Sequence, residues 1–204
     1  YVEYILAISV IFLILSIVYF RKIRFSVKKI KSDKFGILII SLITLEGFVN
    51  LIGVFGPEIA FDPLWYHLTI PKIFLQDHSI HHIAGNLLYY SDMPKLTDLL
   101  YIIGIAFKSE EVAKLIHFGF GILTIIAVYK LSRKFLSQNY SLLVSVLFYS
   151  NLVVAWESIT AYVDLSTAFF QIMALWGFIN FMEKKEKKWL IETGVMIGLS
   201  ISTK

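Results

Sequence analysis

Residues 35–56 read FGILIISLITLEGFVNLIGVFG, an unbroken run of 22 residues in which the one charged side chain is Glu46. As an α-helix rising about 1.5 Å per residue, the run measures about 33 Å, close to the roughly 30 Å hydrocarbon thickness of a bilayer. Similar runs recur at about 4–20, 111–131, 139–157, 165–182 and 189–204. The pattern predicts an all-α fold, a polytopic transmembrane helix bundle of about six spans. Composition agrees. Hydrophobic residues make up 57% of the 204, charged residues only 17%, and mean hydropathy is +0.73. A soluble domain carries about 25% charge and about 45–50% apolar residues.

A shorter apolar run, 96–107, is bracketed by Lys95 and Lys108. We expect it to lie at the membrane interface or against the bundle without crossing. Charge then orients the chain. Arg21, Lys22, Arg24, Lys28, Lys29, Lys31 and Lys34 form one basic cluster, Lys130, Arg133 and Lys134 a second, and Lys184, Lys185, Lys187 and Lys188 a third. Together they hold 14 of the 19 basic residues. If 96–107 does not cross, all three fall on one side, which the positive-inside rule makes the cytoplasm. Acidic residues Glu58, Asp62, Asp77, Asp92, Asp98, Glu110, Glu111, Glu157 and Asp164 fall in or beside the two loops on the other side, about 57–110 and 157–164. The long loop also holds four of the five histidines, more chemistry than a mere connection needs.

Other classes are excluded. The net charge of +4 is spread over loops rather than one face, so it is no nucleic-acid signal. Zero cysteines rule out a disulfide framework or a thiolate metal site. The first apolar run lacks a preceding basic segment and a small-residue cleavage site, so it does not read as a signal peptide. The chain starts at Tyr1 and stops within an apolar run, which reads as the N-terminal part of a longer protein. Residues 1–34 would be an extra N-terminal transmembrane helix and basic cytoplasmic loop. Residues 35–204 would be the N-terminal part of a larger transmembrane module, with 57–110 as its first extracytoplasmic loop and its C-terminal remainder absent.

The densest candidate chemistry is Phe61-Asp62-Pro63-Leu64-Trp65-Tyr66-His67. Asp62 before Pro63 reads as a helix start with the carboxylate as cap, and Pro71 should kink or end that helix. The alternative is a general base at the bilayer edge, ionised and aimed at an acceptor proton. A helix N-terminus keeps such a carboxylate charged and thereby weakens it as a base. Asp164, in Ala161-Tyr162-Val163-Asp164-Leu165, is another cap or a second acid brought to the same face. Two acids there would flank a substrate or a divalent metal; no cofactor beyond that follows from the sequence. Asp77-His78-Ser79-Ile80-His81-His82 has metal-ligand residue types, but adjacent His81 and His82 point apart on most backbones, and a solvated loop is the default. His67 is either a sugar or phosphate contact or an interfacial histidine. Lys95 either pairs with a lipid phosphate or snorkels to headgroups. Glu46 and Asn50, one turn apart within a span, either orient the outer site or bind helices together.

The segment FDPLWYHLTIPKIFLQDHSI resembles the first extracytoplasmic loop of GT-C membrane glycosyltransferases, in the branch of protein O-mannosyltransferases and aminoarabinose transferases. The similarity continues through MPKLTDLLYIIGIAF, KLIHFGFGILTIIAVYKLSRKFL, AYVDLSTAFFQIMALWGFINF and IGLSISTK, covering roughly 35–204. The resemblance implies a transferase that uses a polyprenyl-phosphate-linked sugar and reacts at the extracytoplasmic face. Asp62 then matches the loop carboxylate that acts as base, and Asp164 the second-loop acid. Lys95 lies near the lysine that contacts phosphate, Lys204 matches the lysine at an interrupted membrane helix, and Tyr66 and His67 fall among the substrate contacts. The sequence departs from the family in two places: Pro63 replaces a second acid, and the order of Pro94 and Lys95 is reversed.

The expected partners are therefore the membrane, a polyprenyl-phosphate-sugar donor, and a protein, lipid or glycan acceptor. The expected location is the plasma membrane of a bacterium or archaeon. The competing reading is a transporter or flippase for a lipid-linked or anionic solute, with Glu46 and Asn50 lining its path. The sequence shows no internal repeat of the kind such proteins carry.

Overall fold

The structure, a computed structural model, describes residues 33–85 and 88–204. The apolar run 4–20 and most of the first basic cluster lie outside the described residues.

Helix α1 (Lys34–Val54) starts where Asp33 Oδ1 accepts the Gly36 N–H at 2.9 Å. After a turn, helical backbone resumes at Phe61, widens into a π turn over Pro63–His67, and continues as α2 (Thr69–Asp77). A short 3₁₀ turn (Tyr89–Asp92) leads into α3 (Leu96–Ala106), followed by α4 (Glu110–Ser132), α5 (Gln138–Tyr149), α6 (Leu152–Glu157), α7 (Asp164–Lys184) and α8 (Lys187–Thr203). Of these, α1, α4 and α7 are long and apolar enough to cross a membrane. Only 17% of the most apolar stretch of α1 is buried, and Leu38, Leu42, Leu45, Phe48 and Ile52 are exposed. Apolar side chains in that number belong against lipid.

Two predicted elements come out differently. The run 139–157 is not one helix. It breaks at Ser150-Asn151, where Asn151 Oδ1 accepts the Val153 N–H at 3.0 Å and starts α6 afresh. Asn side chains compete with helical backbone for hydrogen bonds, and Asn151 does so here although the run stays apolar on both sides. Pro71 neither kinks nor ends its helix. It is the third residue of α2, where backbone N–H groups have no intrahelical partner to lose. The irregularity comes earlier: the Leu68 N–H donates to the Pro63 carbonyl at 2.9 Å, one residue farther back than in an α-helix.

α7 packs on α8 and α4, α5 on α1 and α4, and α3 on α4 and α8. Two contacts depend on glycine. A Cβ on Gly177 would lie 2.8 Å from Thr193 Oγ1, and one on Gly104 would lie 2.8 Å from the Ala113 nitrogen. Hydroxyls inside the helices bond back to their own turn, as Thr124 does to Phe120 O at 2.7 Å and Ser145 to Ser141 O at 3.0 Å. In a membrane-spanning segment such groups have no water to turn to.

The bundle has two chemically different ends. At one, Asn139 donates to Asp33 Oδ2 at 2.9 Å and Lys134 pairs with Glu183 at 2.6 Å. The described members of all three basic clusters gather there. At the other end the loops are bound to one another. Buried Glu58 accepts the N–H groups of Ile59 at 3.0 Å and Ala60 at 2.9 Å through one oxygen, and that of Ala161 at 2.8 Å through the other. Buried Lys114 donates to the Gly56 carbonyl, and the Tyr101 hydroxyl to the Tyr162 carbonyl. His117 closes the set. Its Nδ1 donates to the carbonyls of Glu157 at 3.0 Å and Thr160 at 2.9 Å, while Nε2 accepts the Leu165 N–H at 3.2 Å.

Glu58→Ala strips three backbone donors of their acceptor at once. At about 1–3 kcal/mol for an unsatisfied buried donor, the expected loss is about 2–5 kcal/mol, since water will reach some of them. Thermal unfolding in detergent should show a midpoint several degrees below wild type. An unchanged midpoint would mean that the two loops are held by other contacts.

Candidate functional site

The bound loops frame a cavity of about 90 Å³ at the same end of the bundle, lined by Tyr66, His67, Tyr90, Lys95, Thr203 and Lys204 among others. Residues from four places in the sequence meet here because each element ends at this end: the π turn supplies Tyr66 and His67, the 3₁₀ turn Tyr90, the start of α3 Lys95, and the end of α8 Thr203 and Lys204. Stacking fixes one wall. The Tyr66 and Tyr90 rings are 4.0 Å apart and 12° from parallel, and Trp65 meets Tyr90 edge-on at 5.2 Å.

Of the residues the sequence singled out, Tyr66, His67, Lys95 and Lys204 line this cavity, and Asp62 and Asp164 are each bonded to a lining residue. Asp62 is not a cap. Its own backbone is helical, with φ −64° and ψ −44°, and its side chain makes no capping bond. Its Oδ2 instead accepts the Tyr66 hydroxyl at 3.0 Å, and burial followed by this carboxylate pushes the Tyr66 phenol above its usual pKa. Asp164 likewise makes no capping bond to its helix, and pairs with Lys204 Nζ at 2.5 Å. Lys95 is no snorkelling surface cation. It is buried, 3.5 Å from Asp98 Oδ2, because α3 brings that carboxylate one turn along to meet it.

The histidine-rich loop does something else. His81 pairs with Asp77 at 3.4 Å and His82 with Asp92 at 2.9 Å, two separate exposed pairs. Glu46 and Asn50 bind helices: Ser150 donates to Glu46 Oε2 at 2.8 Å, and Asn50 donates to the Tyr149 hydroxyl at 3.0 Å. Both thus tie α1 to α5 and to the break that follows it, the helix-binding role rather than a transport path.

Three participants were not distinguished in the sequence. Asp98, 2% exposed, holds His67 Nδ1 at 2.7 Å. Glu58 joins the loops. Tyr162, whose ring lies 5.2 Å from Trp156 and 5.8 Å from His67, has its phenol raised by burial first, then by the carboxylates of Asp62, Glu157, Asp164 and Glu58. An acid within a short apolar run, as Asp98 is, was the only available signal.

Chemically, the cavity offers two lysines, an imidazole and tyrosine hydroxyls, with carboxylates just behind them. Cations paired with carboxylates in a partly closed space can exchange that partner for a phosphate, and a carboxylate at the rim can take a proton. Searches of curated proteins and of solved structures return no match to this chain. The sequence model of the dolichyl-phosphate-mannose-protein mannosyltransferase family matches residues 99–204. That match runs from within α3 through α8, including Asp164 and Lys204, and spans just over half of the chain, which therefore belongs to this family of membrane glycosyltransferases.

Proposed function

We propose that the protein transfers a sugar from a polyprenyl-phosphate-linked donor to an acceptor at the extracytoplasmic face of the membrane, with Asp62 as the base. The observation that carries this reading is the cavity itself: Lys95 and Lys204 on its wall, and Asp62 and Asp164 each one hydrogen bond behind it. In the reaction, the acceptor O–H or N–H attacks the anomeric carbon. The bond from that carbon to the phosphate oxygen breaks, and the acceptor proton passes to Asp62. The phosphate leaves with the electron pair and gains a charge, which Lys95 and Lys204 are placed to offset. Asp164 holds Lys204 at the cavity mouth in the meantime.

The family match supports the transferase class. The choice of Asp62 rests on its placement: it is the carboxylate bonded directly to a tyrosine of the cavity wall, and it is itself half-buried, within reach of an acceptor. Residues 1–34 and 35–204 then play different parts, the first as an additional membrane anchor and the second as part of the catalytic module.

Two experiments test this. With the protein in lipid nanodiscs and a panel of polyprenyl-phosphate sugars and acceptors, mass spectrometry should detect release of free polyprenyl phosphate. Asp62→Asn should cut that release by about 10²–10⁴-fold, the range expected for loss of a general base. Release that survives in a folded mutant would move the base elsewhere. The face is tested by cysteine labelling, which is clean because the chain has no cysteine. Single cysteines at exposed Ser79 and Ser137 should react with an impermeant maleimide from opposite sides. Labelling from one side would place Asp62 on the same face as the basic clusters and overturn the extracytoplasmic assignment.

A further inference from the structure

The bundle contains two buried histidines, and they differ in one respect. His117 has both ring nitrogens satisfied, Nδ1 by two carbonyls and Nε2 by the Leu165 N–H. His67 is 4% exposed and has only one. Its Nδ1 is bonded to Asp98 Oδ1 at 2.7 Å, and its Nε2 is buried without a partner. Buried polar atoms are nearly always paired, so an orphan on the wall of a cavity is a place where something else supplies the partner.

The geometry points to His67 as the residue that selects the transferred sugar, its Nε2 accepting a hydrogen bond from one sugar hydroxyl while Asp98 holds the ring in position. The inference rests on the transferase reading. The direction of the hydrogen bond follows from Asp98. A carboxylate accepts but does not donate, so the shared proton sits on Nδ1 and the neutral ring has a bare Nε2. Lys95, 3.5 Å from the other Asp98 oxygen, already balances that carboxylate, so the buried group needs no second cation on His67. A bare nitrogen wants an O–H or N–H donor, and a phosphate oxygen would be repelled.

Among the described residues no neighbour donates to this nitrogen. The Tyr66 ring lies 4.2 Å from the imidazole, but its hydroxyl is committed to Asp62. The Tyr162 ring is 5.8 Å away. Lys95 and Lys204 lie on the same wall, each paired with its own carboxylate, and neither donates to His67 Nε2. The cavity, about 90 Å³, opens beside this nitrogen, so a ligand in it can present a hydroxyl to the ring. A ligand reaches Nε2 by displacing the lysine and tyrosine side chains that wall it. Asp98 is thus a positioning residue, acting through the tautomer it imposes.

The test uses the protein in nanodiscs with nitrogen-15 histidine, dolichyl-phosphate mannose as probe, and the monodeoxy analogues of that donor. At neutral pH the His67 Nε2 resonance, assigned by its loss in His67→Phe, should fall in the unprotonated range and move when the donor is added. One monodeoxy analogue should fail to move it and should bind at least about tenfold more weakly, the cost of one lost hydrogen bond of about 1.4 kcal/mol. In His67→Phe that discrimination should vanish, and His67→Gln, which retains an acceptor oxygen, should restore part of it. Asp98→Asn should raise the fraction of ring protonated at Nε2, a change that a merely structural role would not produce. A proton on Nε2 in the wild-type protein overturns the inference. So does a shift produced by dolichyl phosphate without its sugar, or equal binding of every monodeoxy analogue. A donor that binds and shifts the resonance yet is never transferred sinks the transferase reading and leaves the hydroxyl contact standing.

Discussion

One carboxylate ties the two loops of this protein together. Glu58 sits just beyond α1 and takes two N–H groups from its own turn and a third from Ala161, 103 residues later. That bond is the direct link between the segment before α7 and the segment after α1, the two segments that carry Asp164 and Asp62. The rest follows from it. Asp62 is four residues past Glu58 and Asp164 three past Ala161, so anchoring one pair of backbone positions sets the separation of the other pair. His117 and Lys114 reinforce the same junction from α4, Lys114 through the Gly56 carbonyl and His117 through the carbonyls of Glu157 and Thr160 and the Leu165 N–H.

The second constraint is charge. In the described residues nearly every ionisable group near the cavity has a partner of opposite sign or a hydrogen bond: Lys95 with Asp98, Lys204 with Asp164, Asp62 with Tyr66. Buried ions left alone would be expensive, and paired ones contribute little to stability by themselves. Pairs of this kind have another use. When an anionic ligand arrives it can take over a lysine without creating a new buried charge, because the displaced carboxylate remains available to accept a proton. A transferase that must admit a phosphodiester and expel a phosphate benefits from lysines that are neutralised at rest.

Much of the bundle was legible in the sequence because length and hydropathy are local properties. The runs at 35–56, 111–131 and 165–182 correspond to α1, α4 and α7 with small differences at their ends. The break at Ser150-Asn151 was not legible, since two polar residues in an apolar run are compatible with a continuous helix until Asn151 is seen capping α6. Asp62-Pro63 looked like an ordinary helix start, and a π turn has no sequence pattern of its own. The site was half legible. Residue type and position marked Asp62, Asp164, Tyr66, His67, Lys95 and Lys204, but their partners are 3 to 40 residues away and depend on packing. Asp98 shows the limit: within LTDLLYIIGIA it is one acid in a short apolar helix, and only the fold places it under His67, 31 residues earlier.

The π turn at Pro63–His67 has a consequence for how this region can vary. Each residue of an α-helix advances the side-chain direction by about 100°, so a turn holding one extra residue sets the phase of everything on one side against everything on the other. Upstream of it, Asp62 keeps the phase of the loop that Glu58 anchors. Downstream, Ile70 and Phe74 keep the phase that buries them under the bundle. Removing one residue between Pro63 and His67 would leave a smoother helix with both apolar contacts available, yet it would rotate Tyr66 and His67 off the cavity together. Lengths in this segment are therefore less free to drift than its composition, and two related chains could differ at most of these positions while still agreeing on how many there are.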